Sequence, residues 1–142
     1  IDYLRWFFGE IIKVISVFGK IGPLEIETED FSLAYVRFEN DVIGIIRQDM
    51  LRKDYSRTCE IVCEKGTISW NFQDKTVKVF NYVDKNLTNH SLAYDTNDMY
   101  LNEIKHVFEN IINRENESQI SGINGLKTLE AVNKIKENGV NA

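Results

Sequence analysis

The sequence predicts an α+β fold: a large, mostly antiparallel, open β-sheet with helices packed on one face. Three observations carry that prediction. Helical spacing of apolar residues is confined to the two ends of the chain, while the middle, from Glu10 to Val83, is a run of strand-like segments divided by short turns. The segments Asp30–Glu39 and Val42–Leu51 are joined by Asn40-Asp41, a pair that tolerates positive φ and suits a tight hairpin. Both segments are apolar on both alternating faces, so both faces of this central part of the sheet are expected to be covered, one by helices and the other by something else.

In order along the chain, Ile1–Phe8 reads as the end of a helix, with Leu4, Phe7 and Phe8 on one face and Gly9 as its stop. It begins on a bulky apolar residue with no N-cap, so it is expected to be cut from something longer. Glu10–Gly19 is a strand, through Ile11, Val14, Val17 and Phe18. Lys20–Glu29 is a connection holding the only proline, Pro23. The two central strands follow, then the charged loop Arg52-Lys53-Asp54-Tyr55-Ser56-Arg57. Arg57–Glu64 is a third strand and Glu64-Lys65-Gly66 a turn. Thr67–Phe72 places Ile68, Trp70 and Phe72 on one strand face, Gln73-Asp74-Lys75 turns the chain back, and Thr76–Val83 alternates again. Asp84–Asp95 is polar and without period, and is expected to be a loop. Asp98–Arg114 is a helix with the stripe Leu101, Ile104, Val107, Phe108, Ile111 and Ile112. Ser121–Asn138 is another, with Leu126, Leu129, Val132 and Ile135 on its stripe and Gly139 as a C-cap. No internal repeat is read, and residues 1–142 are taken as one domain.

The charge balance, 17 basic against 22 acidic residues and a net charge of −5, argues against a nucleic-acid partner, which needs a basic patch. No apolar run approaches the roughly 18–20 residues of a membrane span, so no membrane partner is expected. The N-terminal stretch is too short and interrupted for a signal peptide, which leaves a cytoplasmic location as the expectation. Cys59 and Cys63 share one strand, about 13 Å apart along it, too far for a mutual disulfide; both are expected to be small buried hydrophobes. Sequons start at Asn86, Asn89 and Asn116, and without a secretion signal they read as chance.

The chain carries no catalytic motif of its own. Gly19-Lys20-Ile21-Gly22 and Gly122-Ile123-Asn124-Gly125 are its local glycine pairs, and neither makes a GxGxxG turn between a strand and a helix. Glu103 and His106 have the spacing of a di-iron helix pair, but such a site needs two of these pairs and two further Glu-bearing helices, so no metal ligand is assigned. His90 has no partner near it in sequence, and no Ser-His-Asp or Cys-His constellation can be placed.

Several stretches together resemble the C-terminal domain of the Gfo/Idh/MocA oxidoreductases. They are Ile1-Asp2-Tyr3-Leu4-Arg5-Trp6-Phe7-Phe8-Gly9-Glu10; Glu27-Thr28-Glu29-Asp30 leading into Val36-Arg37-Phe38-Glu39-Asn40-Asp41-Val42-Ile43-Gly44; and Cys59-Glu60-Ile61-Val62-Cys63-Glu64-Lys65-Gly66-Thr67-Ile68. The resemblance continues through Asp98–Phe108 and the helix from Ser121 to Ile135, and so covers nearly the whole chain. Each motif is loose, but their order and spacing are more specific.

The resemblance implies a glyceraldehyde-3-phosphate-dehydrogenase-like C-terminal domain, whose open sheet face commonly makes an oligomer contact. It implies a parent enzyme that is NAD(P)-dependent and acts on a sugar, nucleotide sugar or cyclitol, with the cofactor held by an upstream Rossmann domain absent from this chain. No cofactor is expected in the chain itself, which is expected to be inactive alone. The family's helix Asp and His would precede Ile1, the His by two places; Asp2 matches the acidic position after that His and is read as helix support. Glu64-Lys65-Gly66 lies in a strand turn and is not the family's Glu-Lys-Pro motif. Arg52, Tyr55 and Arg57 are the candidate substrate contacts, because Arg binds phosphate or carboxylate through paired hydrogen bonds and loop residues at strand ends are placed to hold a ligand. The alternative is a non-enzymatic oligomerisation or ligand-binding α+β module.

Overall fold

The computed structural model describes residues 1–113 and 120–141. Its elements run α1 (Asp2–Phe8), β1 (Ile11–Gly19), β2 (Phe31–Phe38), β3 (Ile43–Asp49), β4 (Thr58–Cys63), β5 (Gly66–Asn71), β6 (Thr76–Asn81), β7 (Asn86–Ser91), α2 (Thr96–Asn113), α3 (Gly122–Glu137) and β8 (Gly139–Asn141). The chain is α+β with mostly antiparallel sheets, as the sequence predicts. Its strands are shared between two four-stranded sheets, ordered β3-β2-β1-β8 and β4-β5-β6-β7. The run of three strands expected at the sheet centre is therefore divided after its hairpin: β3 is an outer strand of the first sheet and β4 an outer strand of the second, with the charged stretch Arg52–Arg57 between them in sequence. Two compact units correspond, Ile1–Leu51 with the described residues from 120 onward, and Arg52–Asn113. The expected helix end at Arg114 and the sequon at Asn116 lie outside the described residues.

The first unit has a closed core. Ile11, Ala34, Val36 and Phe38 point from β1 and β2 onto Ala131 and Ile135 of α3, with Leu4 and Phe8 of α1 packed against them. Phe8 meets Phe38 at a ring distance of 5.5 Å. The β2–β3 hairpin closes as its residues predict, with Asp41 at φ 60° and a hydrogen bond from the Asp41 amide to the Phe38 carbonyl. Gly9 ends α1 at φ 81°. Asp30 is buried and its two carboxylate oxygens accept from the amides of Ile21 and Gly22, which fixes the long β1–β2 connection.

Arg5 decides how α3 lies. Its guanidinium is buried, donates twice to Glu10 at 2.8 Å, and reaches the Thr128 hydroxyl at 2.6 Å and the Asn124 carbonyl at 3.2 Å. Asp2 accepts from the same Thr128 hydroxyl at 2.7 Å. The clamp turns the Asn124, Thr128, Ala131 and Ile135 face of α3 inward. Leu126 and Leu129, expected on the buried stripe, are more than half exposed instead. Asn138, not Gly139, caps α3. Gly139 opens β8, a short strand parallel to β1 that the sequence reading did not anticipate. A Cβ on Gly139 would lie 2.6 Å from the Ser16 hydroxyl and from the Phe18 ring, so only glycine lets β8 approach.

The other face of this sheet is uncovered and apolar. Cross-strand rows run Ile15–Tyr35–Ile45 and Val17–Leu33–Arg47, beside a row Lys13–Arg37–Ile43. Ile15 and Ile45 are 60% and 76% exposed.

The second unit is an antiparallel meander followed by α2. Glu64-Lys65 joins β4 to β5 as a two-residue turn, setting Cys63 opposite Gly66. Cys63 is exposed, contrary to expectation, because it ends its strand facing a residue with no side chain; Cys59 is partly buried, and burial pushes its thiol pKa up. The polar stretch expected to be a loop contains β7, whose six residues are all exposed. Its entry turn copies the one before β6. In Asn71-Phe72-Gln73-Asp74-Lys75 and Asn81-Tyr82-Val83-Asp84-Lys85, the Asn amide donates to the Asp at 2.8 and 3.0 Å and the Lys has φ near 50°. A reciprocal cap starts α2: Asp95 accepts from the Asn97 amide, and Asp98 accepts from the Asp95 amide, each at 2.8 Å. The apolar stripe on α2 is exposed, from Leu101 at 56% to Ile112 at 75%, while Asn110 is buried and bonded to His106 at 3.1 Å.

Candidate functional site

The three candidate contacts fall in the second unit, and the structure brings two of them together. Arg52 is engaged with Asp54, at 2.7 Å between Nη2 and Oδ2, and its guanidinium holds the Asp54 carboxyl below the usual carboxylate range. Tyr55 lays its ring 5.9 Å from that of Phe72. Arg57 stacks its guanidinium 5.6 Å from the centre of the Trp70 ring and 5.4 Å from that of Phe72. Tyr55 and Arg57 thus meet on Phe72.

The register explains this meeting. The turn at Glu64-Lys65 pairs Thr58 with Asn71, so Arg57 stands beside Phe72, whose amide donates to the Arg57 carbonyl at 3.0 Å. Trp70 is the diagonal neighbour on the same face, within reach of a long side chain. Tyr94 extends the aromatic wall, 6.2 Å from Phe72. Lys75 fixes it, donating to the Tyr94 carbonyl at 2.7 Å with its ammonium 5.1 Å from the ring centre.

An open cleft of about 340 Å³ lies against this wall, lined by Arg57 but not by Arg52 or Tyr55. Arg57, Trp70, Phe72, Leu92 and Tyr94 form one side, and Asp98, Met99 and Asn102 come from the first turns of α2. That is within the usual size of a small-molecule site: mostly apolar and aromatic walls with a few polar groups. The sequence reading did not select Trp70, Phe72, Tyr94, Asp98, Met99 or Asn102 as site residues. A signal existed for the first two, since a two-residue turn at Glu64-Lys65 already sets Arg57 opposite Phe72. Nothing local marked Tyr94 or Asn102, because their approach depends on β7.

A second cavity, of about 360 Å³, lies in the first unit beside Glu29, Asp30 and Lys136. Its charges are already matched there, Lys136 with Glu29 and Asp30 with two backbone amides. Among the described residues no group of three metal-ligating side chains occurs, and no helix is long and apolar enough to cross a membrane.

Neither glycine pair fits a dinucleotide. The amides of Ile21 and Gly22 already bond Asp30, and the segment leads into a strand. Gly122 and Gly125 open α3, where the Ser121 side chain already accepts from the Asn124 amide.

Comparison with known proteins finds the same fold elsewhere. Residues 1–69 match the GFO/IDH/MocA C-terminal domain family. The resemblance read from the residues is thereby borne out. Among solved structures, UDP-N-acetylglucosamine 3-dehydrogenase GnnA from Acidithiobacillus ferrooxidans superposes with a TM-score of 0.83 at 16% identity, over 97% of this chain and 43% of its own. The WlbA dehydrogenase from Bordetella pertussis, solved with NADH and UDP-GlcNAcA, gives 0.70 at 19% identity, over 96% of this chain and 42% of its own. An oxidoreductase from Agrobacterium radiobacter, solved with NAD+, L-tartaric acid and magnesium, gives 0.78 at 18% identity, over 96% and 43%. The chain therefore spans less than half the length of these structures. Sequence comparison with curated proteins gave no match.

Proposed function

We propose that this chain is the substrate-binding and oligomer-forming domain of an NAD(P)-dependent oxidoreductase acting on a sugar, nucleotide sugar or cyclitol. The observation that carries the reading is the fold shared with GnnA over 97% of the chain. In this reading the cofactor is held by a dinucleotide domain outside these 142 residues, as in the NADH-bound WlbA dehydrogenase, of which this chain covers 42%. Within the chain, Arg57 and Tyr55 contact the substrate at the aromatic cleft, and Arg52 orders the loop that presents them. A cytoplasmic location belongs to this reading. In a protein carrying this domain joined to its dinucleotide domain, Arg57→Ala raises KM for the substrate about tenfold, the worth of a hydrogen bond to a charged group. An unchanged KM contradicts the assignment. NADH added to the 142-residue chain alone gives no calorimetric signal.

The apolar sheet face is the second part of the proposal. Ile15, Tyr35, Ile45, Val17 and Leu33 form a contiguous exposed patch with basic residues at its rim, the composition of an interface. A second copy of the chain covers it, and Ile45→Lys disperses the oligomer with little change in folding stability. A monomer at micromolar concentration in light scattering contradicts this. The same face also favours the reading of a stand-alone assembly module; that reading predicts oligomers but no effect of Arg57 on any dehydrogenase reaction.

A further inference from the structure

We propose that Asn138 is the site at which this chain converts spontaneously to isoaspartate, and that the conversion releases β8 from β1.

The sequence holds two Asn-Gly pairs, Asn124-Gly125 and Asn138-Gly139. A following glycine has no Cβ to shield its amide nitrogen, which can therefore reach the asparagine side chain. In the reaction the glycine nitrogen bonds to the asparagine Cγ, the Cγ–Nδ2 bond breaks, and ammonia leaves with the proton from the glycine nitrogen. Water then opens the cyclic imide. Opening at Cγ gives aspartate; opening at the main-chain carbonyl gives isoaspartate, whose main chain is longer by a carbon. For the nitrogen to swing towards Cγ, the main chain must first turn out of its folded geometry.

The two pairs differ in what that turn breaks. Asn124 is partly buried in the first turn of α3. Its amide donates to the Ser121 hydroxyl at 3.3 Å and its carbonyl accepts from Arg5 at 3.2 Å. The Gly125 amide, the attacking group, donates to the Ser121 carbonyl at 3.0 Å. Turning there undoes the cap of α3 and its hold on Arg5. Asn138 is exposed and follows the last residue of α3, at φ −97° and ψ 12°. Its amide and its Nδ2 both donate to the Lys134 carbonyl, at 3.1 and 2.9 Å. Next comes β8, an outer strand of three residues. Opening there costs only a helix end and a short edge strand, the kind of element that opens most readily.

The product no longer fits the sheet. β8 sets Gly139 beside Ser16, Val140 beside Val17 and Asn141 beside Phe18. Gly139 passes so close to β1 that a Cβ on it would lie 2.6 Å from the Ser16 hydroxyl and from the Phe18 ring. An added main-chain carbon just before Gly139 shifts it out of that fit. The new carboxylate has no proton to give the Lys134 carbonyl, and it stands at the negative end of α3. With β8 released, β1 becomes the outer strand over Ser16–Phe18, its main-chain groups open to another strand.

The test incubates the 142-residue chain in mildly alkaline buffer, folded and in urea. Trypsin places the pairs in different peptides, residues 115–127 and 137–142. Mass spectrometry with fragmentation follows each asparagine, and synthetic peptides tell isoaspartate from aspartate by retention. In the folded chain Asn138 is expected to convert at least about tenfold faster than Asn124, a factor worth one or two hydrogen bonds. In urea the two rates should converge. Hydrogen exchange in the aged chain should quicken at Ser16–Phe18 and Gly139–Asn141 and stay slow across β2 and β3. Asn138→Ser, which cannot form the imide, should keep its initial exchange through the same incubation. Fresh chain is the second reference, so the comparison holds even where that variant loosens β8 by itself. The proposal is overturned by Asn124 converting as fast as Asn138 in the folded chain, by aspartate forming at Asn138 without isoaspartate, or by no conversion at Asn138 while the chain in urea converts. Isoaspartate at Asn138 with unchanged exchange at Ser16–Phe18 also overturns it.

Discussion

The two units of this chain spend their aromatic and charged residues in opposite ways. The Ile1–Leu51 unit leaves Trp6, Phe7 and Tyr35 exposed but seals one ring and one cation inside: Phe38 is 1% exposed, and Arg5 lies among Glu10, Thr128 and Asn124. The Arg52–Asn113 unit keeps such groups at a surface. Its rings, Tyr55, Trp70, Phe72 and Tyr94, stack on one another and on the cations Arg57 and Lys75, and no apolar residue of this unit is fully buried among those described. A buried cation locks a fold, because removing it strands its partner; a cation stacked at the rim of a cleft costs the fold little to present and can be turned to a ligand. The first unit closes a core around its buried ring and cation, and the second presents its rings and cations at a surface.

The largest effects test that contrast directly. Phe38→Ala is expected to cost about 3–5 kcal/mol in denaturant unfolding, as for other buried phenylalanines. Phe72→Ala, at a partly buried position, is expected to cost less than half of that. Equal losses would erase the distinction between core and cleft. Next comes Arg5→Met, which removes the Arg5 hydrogen bonds to Thr128 and Asn124 of α3 and leaves Glu10 with Lys127 as its cation. The cost is about 2 kcal/mol, below that of a fully buried pair, because Glu10 keeps contact with water. Unchanged stability in that variant would mean that α3 is held by Ala131 and Ile135 alone.

A smaller change sharpens the view of the second unit. Asp95→Ala removes the cap of α2 and is expected to cost about 1 kcal/mol. Hydrogen exchange should quicken in the first turn of α2 and stay unchanged in β1 to β3. Faster exchange across both units would show that they unfold as one.

The smallest effect is in pH. Arg5 hydrogen-bonds Glu10 and holds its carboxyl below the ordinary value near 4.5. A group depressed in the folded state stabilises above its unfolded pKa, and the stabilisation is lost as pH falls through the folded one. The first unit should therefore weaken below about pH 4.5, and Glu10→Gln should flatten that slope at the cost of lower stability at pH 7. A slope that survives Glu10→Gln assigns the acid sensitivity elsewhere.

Much of the fold was legible where local chemistry decides structure. Asn40-Asp41 could be read as a hairpin because Asp41 tolerates φ 60°, and Gly9 as a helix stop for the same reason. β7 was not legible by periodicity, since six exposed residues carry no alternation of burial to read. Its only mark was the turn Asn81-Tyr82-Val83-Asp84-Lys85, which repeats Asn71-Phe72-Gln73-Asp74-Lys75 ten residues on. The face of α3 was misjudged because hydrophobicity points to Leu126 and Leu129, whereas Arg5, more than a hundred residues away in sequence, draws in Asn124 and Thr128. The division into two sheets depends on which strands pair, a tertiary choice that no single strand records. Of the candidate site, Arg57 was within reach because its charge stands out beside a strand; the aromatic wall it stacks on needed the register.

The most direct test of the central claim is the coding sequence immediately upstream of Ile1. The account predicts a glycine-rich βαβ start, a Glu-Lys-Pro and a His two places before Ile1, which would join this domain to a cofactor-binding one. A start codon close upstream would contradict it and leave a sheet domain whose work is assembly or binding alone.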